Sequence, residues 1–384
     1  MRQVPPAQAV TAGLLTALVG SASSFAVVLQ GLDAVGADPA QAASGLMALF
    51  VAMGLCGVLL SWRYRMPISI AWSTPGAALL VSAGAPEGGF AVAVGAFLVA
   101  GLLVIAAAAF RPLGRLIAAI PTSIASAMLA GVLLPLCLAP VRAVAAMPVA
   151  GLAIVLAWLL VGRWERLLAV PAAAVVAMVF IVLGMSAGAL SGSLLPAPSL
   201  VVPAFSPAGL VGIALPLFLV TMASQNIPGL AVLSVNGYRP EPGPLFIATG
   251  LFSLAAAPFG GHAVNLSAIT AALCAGPDAG PDPQRRWWAA AVAGAGYVVL
   301  GLAAGAVTAL AGVSPLLVQA VAGLALIGAF SGSIAGALAD PAERDAAAVT
   351  FVVTASGLAL AGISAAFWGL LAGSAVLLLG RWRG

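Results

Sequence analysis

Long apolar runs recur along this chain from Val10 to Leu379, and they restrict its fold more than any other feature. Charged residues make up only 6% of the chain, whereas a water-soluble domain carries roughly a quarter. Lipid cannot satisfy open backbone hydrogen-bonding groups, so continuous apolar runs predict membrane-spanning α-helices. A β-barrel would show short alternating segments instead. The sequence therefore predicts an all-α, multi-pass protein of the lipid bilayer.

Charges and Pro/Gly breaks divide the apolar runs into fourteen segments. A Pro- and Ser-rich linker, 191–207, separates seven segments in residues 1–190 from seven in residues 208–384. An odd number of segments per half inverts the second half, which is the inverted-repeat plan of many secondary transporters. The predicted segments are 9–31, 41–61, 70–83, 89–110, 116–139, 144–161, 168–187, 208–235, 243–258, 262–275, 287–310, 314–338, 346–361 and 363–380.

The arginines predict the orientation of these segments. The chain has fourteen arginines and no lysine, and they occur singly or in pairs. With both termini in the cytoplasm, all of them except Arg142 fall on the cytoplasmic side, as the positive-inside rule requires. The net charge of +4 is therefore explained by topology, and no nucleic-acid partner is expected.

Two of the segments, 70–83 and 262–275, are too short to cross a bilayer, which takes ~20 helical residues. They are the third of the first half and the tenth overall, so they occupy matching places, and both are polar at their start. Paired short or broken segments are the best sequence indication of a transporter's binding site. We expect two half-helices whose N-termini converge near mid-membrane. Their free N–H groups and positive dipole ends would bind a small anion without any arginine.

Polar and aromatic side chains near these starts, and in neighbouring segments, are the candidate ligands. His262 is the only histidine and could titrate near neutral pH; a neutral imidazole bonded to a neighbouring helix is the alternative reading. The predicted substrate-binding residues are Phe25, Trp72, Ser73, Thr74, Gln225, Asn226, Gly261, His262, Ala263 and Asn265.

Gln225 and Asn226 form an amide pair in the middle of the eighth segment, just before Pro228. Proline removes a helical hydrogen bond and makes the helix irregular. Irregular backbone at membrane depth is tolerated where it lines a cavity, so we favour a binding role. The alternative is that both amides hold neighbouring helices together.

Other features carry less weight. Asp33, at the outer end of the first segment, is expected to be solvated, with a transport role as the alternative. Gly328, Gly332 and Gly336 recur at every fourth position, which predicts close helix packing. The sequence shows no metal-ligand cluster, phosphate loop or paired carboxylates. We therefore expect no metal, no cofactor and no enzymatic activity.

Three motifs, within residues 64–80, 223–229 and 259–266, make the chain resemble the benzoate:proton symporter (BenE) family. They read YRMP followed by AWSTPGAALL, then ASQNIPG, then FGGHAVNL. The similarity extends over essentially the whole chain. The family is similar in turn to the nucleobase transporters (uracil permease-like), which have fourteen spans in a seven-plus-seven inverted repeat.

That resemblance implies two domains that move past each other in an elevator-like mechanism. The core domain would comprise residues 9–110 and 208–310, and the gate domain residues 116–187 and 314–380.

The resemblance also implies a function: import of benzoate or a related aromatic carboxylate with a proton, across a bacterial inner membrane. Nucleobase transporters contact substrate through acidic residues at positions that correspond to Gln225 and, approximately, His262. Uncharged residues there fit an anionic substrate and leave His262 as the proton-coupling candidate, unless the proton travels on the carboxylate itself. An anion exchanger or channel and a nucleobase-type permease are the alternatives, and a homodimeric state is left open.

Overall fold

The structure, a computed structural model, describes residues 5–22, 24–109, 121–184, 195–267, 270–358, 360 and 363–381. Helices dominate these residues, as the apolar runs predict. The first half contains α1 (Ala7–Ala22), α2 (Phe25–Ala34), α3 (Pro39–Tyr64), β1 (Ile70–Trp72), α4 (Thr74–Ala83), α5 (Phe90–Ala109), α6 (Thr122–Cys137), α7 (Ala139–Ala146), α8 (Pro148–Trp164) and α9 (Ala169–Gly184).

The second half repeats this order of a long helix, a broken segment and further helices. It contains α10 (Pro207–Val235), α11 (Pro242–Ala256), β2 (Val264–Leu266), α12 (Ala271–Ala275), α13 (Trp287–Gly301), α14 (Ala304–Val313), α15 (Pro315–Ala337), α16 (Arg344–Ala355) and α17 (Ala365–Arg381). Short 3-10 turns lie at Arg166–Leu168, Ala257–Phe259, Pro277–Ala279, Pro283–Arg285 and Pro341–Glu343.

Several helices are long and apolar enough to cross a membrane. Among the described residues there are seven of them, and α13 with α14 makes an eighth if this pair, bent by 61°, forms one span. The seven are Ala7–Ala34, Pro39–Tyr64, Phe90–Ala109, Thr122–Ala146, Pro207–Val235, Pro242–Phe259 and Pro315–Ala337. The multi-pass prediction is confirmed, whereas the count of fourteen segments stays a prediction.

The two short segments are not the simple half-helices that the sequence predicts, although the described residues are mostly helical. Each begins with a three-residue strand, Ile70–Trp72 or Val264–Leu266, and the two strands pair antiparallel. No helix begins at His262; the described helix of that segment is Ala271–Ala275, and residues 268–269 lie outside the described part. The reason is that β-branched and aromatic residues at the segment starts favour extended backbone. Pairing then satisfies backbone groups that lipid would leave open.

Close packing of α3 on α13 depends on two facing glycines. A methyl group at Gly54 would lie 2.5 Å from the Gly294 carbonyl oxygen, and one at Gly294 would lie 2.5 Å from the Gly54 carbonyl oxygen. The predicted packing stripe on α15 is wrong at Gly328 and Gly332, where a methyl group would meet no atom within 4 Å. Small residues permit close packing but do not cause it.

The helix α10 is interrupted twice by wide π turns, at Leu210–Ala214 and Met222–Asn226. Pro216 and Pro228 follow these turns within two residues. Because proline lacks the N–H that an α-helix needs, the backbone ahead of it widens. The irregularity predicted from Pro228 is confirmed, and the second π turn includes the amide pair Gln225 and Asn226.

Candidate functional site

The paired strands β1 and β2 tie the two halves of the chain together at the site. Ser73 N donates to the Ala263 carbonyl oxygen (3.1 Å) at one end, and Ser267 N donates to the Ser69 carbonyl oxygen (2.9 Å) at the other. The register places Ile70 opposite Leu266, Ala71 opposite Asn265 and Trp72 opposite Val264. Backbone hydrogen bonds therefore hold the six paired residues and their flanking turns together.

Side chains from neighbouring helices satisfy the outer edges of this small sheet. Asn226 Oδ1 in α10 accepts from Leu266 N (2.9 Å), and Ser253 Oγ in α11 accepts from Val264 N (2.8 Å). Two residues before the other strand, the Ile68 carbonyl oxygen accepts from Ser61 Oγ (3.1 Å). An open sheet edge is not tolerated in lipid. These polar side chains supply the hydrogen bonds that neighbouring strands would otherwise make.

Ser73 begins the helix α4 that follows β1. Its hydroxyl oxygen accepts from Gly76 N (3.1 Å), which caps the helix, and also from the Thr221 hydroxyl of α10 (2.8 Å). The first helical residue, Thr74, lines a central cavity. The positive end of the α4 dipole therefore lies at that cavity, as the broken-segment prediction requires for this helix.

The central cavity has a volume of about 30 Å³. A cavity that holds benzene has a volume of about 150 Å³, so this space has room for water but not for an aromatic ring. An aromatic ring could enter only if the walls separate. The lining residues are Gly20, Ser24, Met53, Ala71, Trp72, Thr74, Gln225, Ser267, Thr270 and Tyr297.

Trp72 forms one wall of the cavity and is held on both sides. Its indole Nε1 donates to Ser24 Oγ (2.8 Å), which satisfies the only polar atom of the ring. Phe50 meets the indole edge-on, with ring centroids 4.7 Å apart. The cavity therefore has a rigid aromatic surface beside the polar helix start.

Tyr297 of α13 also lines the cavity and contacts α1. Its hydroxyl donates to the Thr16 carbonyl oxygen (3.2 Å). The same hydroxyl packs against Gly20, where any side chain would collide with it. Gly20 is therefore a glycine because the tyrosine must approach the helix backbone.

His262 is fully buried behind the β1–α4 junction. Its Nε2 lies 2.9 Å from the Ser73 carbonyl oxygen, and Phe97 packs edge-on against the ring. A carbonyl oxygen only accepts, so Nε2 carries the proton. Nδ1 has no hydrogen-bond partner among the described residues.

Asn265 points its amide back into the strand pair. In the amide orientation that pairs both atoms, Oδ1 accepts from Ser73 N (2.9 Å) and Nδ2 donates to the Leu266 carbonyl oxygen (2.9 Å). Asn226 likewise uses both amide atoms, since Nδ2 donates to Met222 Sδ (3.2 Å). Both asparagines therefore hold the backbone of the site.

The predicted site residues fall into two groups. Trp72, Thr74 and Gln225 line the central cavity. The remaining seven lie behind its wall or beside it, and their binding roles stay predictions. They are Phe25, Ser73, Asn226, Gly261, His262, Ala263 and Asn265.

Sequence reasoning missed Gly20, Ser267, Thr270 and Tyr297. Ser267 and Thr270 were detectable, because they are hydroxyl residues in an otherwise apolar short segment; the two oxygens lie 2.6 Å apart. Tyr297 carries a polar atom within an apolar run, which is also a signal. Gly20 gave none, because its role depends on the distant Tyr297. In the described part of the chain, no three His, Cys, Asp or Glu side chains group as metal ligands.

A family model described as "Benzoate membrane transport protein" matches residues 3–379. The chain belongs to this family. The "Benzoate membrane transport protein" of Acinetobacter baylyi is 32% identical over 374 residues, which cover 95% of this chain and 93% of that protein. The "Inner membrane protein YdcO" of Escherichia coli is 42% identical over 372 residues, covering 96% and 95%.

Solved structures share the fold at low sequence identity. An SLC26A9 structure matches with a TM-score of 0.62 and 15% identity, covering 97% of this chain and 65% of that chain. The chain thus spans about two thirds of SLC26A9. The transmembrane domain of the cyanobacterial bicarbonate transporter BicA matches with a TM-score of 0.57 and 17% identity, covering 97% of both chains. The family and the fold identify a multi-pass inner-membrane transport protein for a small molecule, not an enzyme.

Proposed function

We propose that the protein is a secondary active transporter that imports benzoate or a related aromatic carboxylate together with a proton. The family model and the Acinetobacter baylyi relative support this substrate class. The single observation that carries the proposal is the central cavity, which is lined both by Thr74 at the α4 N-terminus and by the aromatic ring of Trp72. One part suits a carboxylate and the other a ring.

We further propose an elevator-like movement of a core domain (9–110 and 208–310) against a gate domain (116–187 and 314–380). The strand pair, which joins the two halves through backbone hydrogen bonds, supports a core that moves as one body. The small volume of the central cavity supports a mechanism in which the walls must separate. Fourteen spans in two inverted repeats, 1–190 and 208–384, with both termini cytoplasmic, complete the proposal.

In the loaded state, the carboxylate would lie at the start of α4. The helix dipole and the Thr74 hydroxyl stabilise the negative charge, and the Gln225 amide supplies further hydrogen bonds. The ring would pack on Trp72 and Met53. No cofactor is needed for this step.

For proton coupling we propose His262, whose Nδ1 is the atom able to accept a proton while Nε2 stays on the Ser73 carbonyl. An imidazolium would donate a stronger hydrogen bond from Nε2 to the Ser73 carbonyl oxygen. Protonation would thereby affect the backbone at the start of α4. The alternative is that the proton travels on the substrate carboxylate.

Uptake into proteoliposomes tests the proposed function. With an inward proton gradient and no counter-anion inside, labelled benzoate should accumulate above its external concentration, and a protonophore should abolish accumulation. Uptake that requires an internal anion would instead indicate an anion exchanger. The exchanger is the second candidate because the fold is shared with an anion transporter and a bicarbonate transporter. Excess uracil should not compete; competition by uracil would indicate a nucleobase permease.

Replacing His262 with alanine or glutamine separates its two roles. Glutamine retains a donor for the Ser73 carbonyl but does not titrate. If His262 carries the proton, both variants should lose proton-driven accumulation, by at least tenfold, while substrate exchange at equal pH survives in His262→Gln. Full accumulation in His262→Gln would remove His262 from proton coupling and leave it as a positioning residue.

A further inference from the structure

A second cavity, the vestibule, lies between α2, α3, α14 and α15 and has a volume of about 170 Å³. An engineered apolar cavity of about 150 Å³ in another protein holds benzene, so an aromatic ring fits here. The vestibule shares no lining residue with the central cavity. The central cavity is nevertheless lined by Ser24, which directly precedes α2. Gln30 lies six residues beyond Ser24, about 9 Å along the helix axis.

Two polar side chains of α2 face the vestibule. Gln30 and Asp33 are three residues apart, so they lie on the same face of the helix, and both line the cavity. Gln30 Nε2 is buried and has no hydrogen-bond partner among the described residues. A buried donor without a partner is unfavourable, and an acceptor on a bound molecule would satisfy it. Asp33 is exposed at the helix end.

The remaining walls are largely apolar, as at Leu29, Pro315 and Val318. Two further polar residues line the cavity: Thr308, whose hydroxyl donates within α14, and Gln319 on α15. Asp33 is the only titratable side chain among the described residues that line the vestibule. The nearest carboxylate along the chain, Asp38, is occupied as the cap of α3. A ligand for this cavity therefore needs a ring, one donor for the Asp33 carboxylate and one acceptor for Gln30 Nε2.

A protonated aromatic carboxylic acid carries these groups on one carbon atom. Its O–H would donate to the Asp33 carboxylate, and its C=O would accept from Gln30 Nε2. The deprotonated acid lacks the donor and would be repelled by Asp33.

We propose that the vestibule is a second binding site, which takes the aromatic acid in its protonated form before it reaches the central cavity. The inference rests on the proposed function and deepens it, because it states the form in which the substrate is first bound. The proton stays on the acid at this site. The inference holds whether His262 or the substrate carries the proton further in.

Benzamide is the probe, because it has the same ring with N–H donors and a C=O acceptor and stays neutral at all working pH values. Its binding to the protein in nanodiscs can be measured by saturation-transfer NMR. We expect saturable binding that weakens about tenfold or more in Asp33→Leu and in Gln30→Leu. Ala311→Phe, which fills the vestibule, should abolish it. The matched control is Gly328→Phe, which also introduces a phenylalanine but on α15, where the glycine has no atom within 4 Å. This control should leave benzamide binding unchanged.

Unchanged benzamide binding in all three vestibule variants would overturn the inference. So would binding that survives Ala311→Phe but is lost in Thr74→Val, because the probe would then occupy the central cavity. Thermal midpoints of each variant exclude misfolding as the cause. Benzoate uptake by the unmodified protein is measured in parallel: absent uptake with intact vestibule binding refutes the transport proposal alone, and normal uptake with insensitive binding refutes the vestibule alone.

Discussion

Replacing Gly20 with alanine is expected to reduce substrate uptake by roughly tenfold to a hundredfold, and removing the Tyr297 hydroxyl is expected to restore it. A methyl group at position 20 would collide with that hydroxyl. Adding a group to a packed site typically costs 1–3 kcal/mol, and tenfold in an equilibrium constant is about 1.4 kcal/mol. The central cavity has a volume of only about 30 Å³. A tyrosine ring displaced into this space should therefore block substrate binding.

The reversal follows from the neighbouring distances. Without the hydroxyl, the added methyl group would lie 3.4 Å from the ring carbon Cζ of Tyr297 and 3.3 Å from Thr270 Cγ2, which is tight but tolerable contact. The double variant, Gly20→Ala with Tyr297→Phe, should therefore transport better than Gly20→Ala alone. Tyr297→Phe by itself loses one hydrogen bond, to the Thr16 carbonyl, at a cost of about 1 kcal/mol.

Uptake kinetics of the wild type, the two single variants and the double variant complete this cycle. Alanine is the better helix former by about 1 kcal/mol, so loss of uptake in Gly20→Ala cannot come from helix propensity. Gly328→Ala, in open space on α15, should leave uptake unchanged. Equal uptake in Gly20→Ala and the wild type would mean that the tyrosine does not limit the cavity.

Much of this architecture is predictable because lipid permits few backbone solutions. The apolar runs and their breaks predict most of the helices. The short segments 70–83 and 262–275 mark the place where the two halves of the chain pair. Length alone identified them, since neither can span a bilayer. The strands themselves were not predicted, because three-residue strands depend on a partner about 200 residues away, which a local pattern does not reveal.

The candidate site likewise contains residues that a local sequence pattern predicts and residues that depend on distant contacts. Trp72 and Thr74 were predicted because they adjoin a helix start, and they line the cavity. Gly20 and Tyr297 act through mutual contact between α1 and α13, which no spacing in the sequence encodes. Asn226 was expected to face a ligand, yet both of its amide atoms bond to protein atoms. A polar residue at membrane depth thus indicates where partners are needed, but not whether the partner is substrate or backbone.

Asn226 therefore leads to the second large effect: Asn226→Leu should reduce uptake by roughly a hundredfold and lower thermal stability. Leucine has a similar size but leaves Leu266 N–H without its 2.9 Å acceptor. Both residues are buried, and an unsatisfied buried donor costs about 1–3 kcal/mol. The outer edge of β2 would open, and the strand pair that positions Trp72 and the α4 start would lose its register.

Asn236→Leu is the matched control on the same stretch of chain. Its Nδ2 donates to the Val232 carbonyl oxygen (2.9 Å) just beyond the end of α10, where water can replace the lost bond. This variant should retain uptake and lose little stability. Asn226→Asp keeps an acceptor for Leu266 N, so it should retain more stability than Asn226→Leu, while its negative charge should still oppose an anionic substrate.

Thermal midpoints in detergent and uptake in proteoliposomes together decide the role of Asn226. If Asn226→Leu loses both stability and uptake, the amide acts by holding β2. If it loses uptake at unchanged stability, the amide contacts the substrate directly, and the edge-capping account is refuted. The outcome matters for the whole site, because the same strand pair joins both halves of the chain. The proposed elevator movement requires this pair to stay intact while the core domain moves against the gate domain.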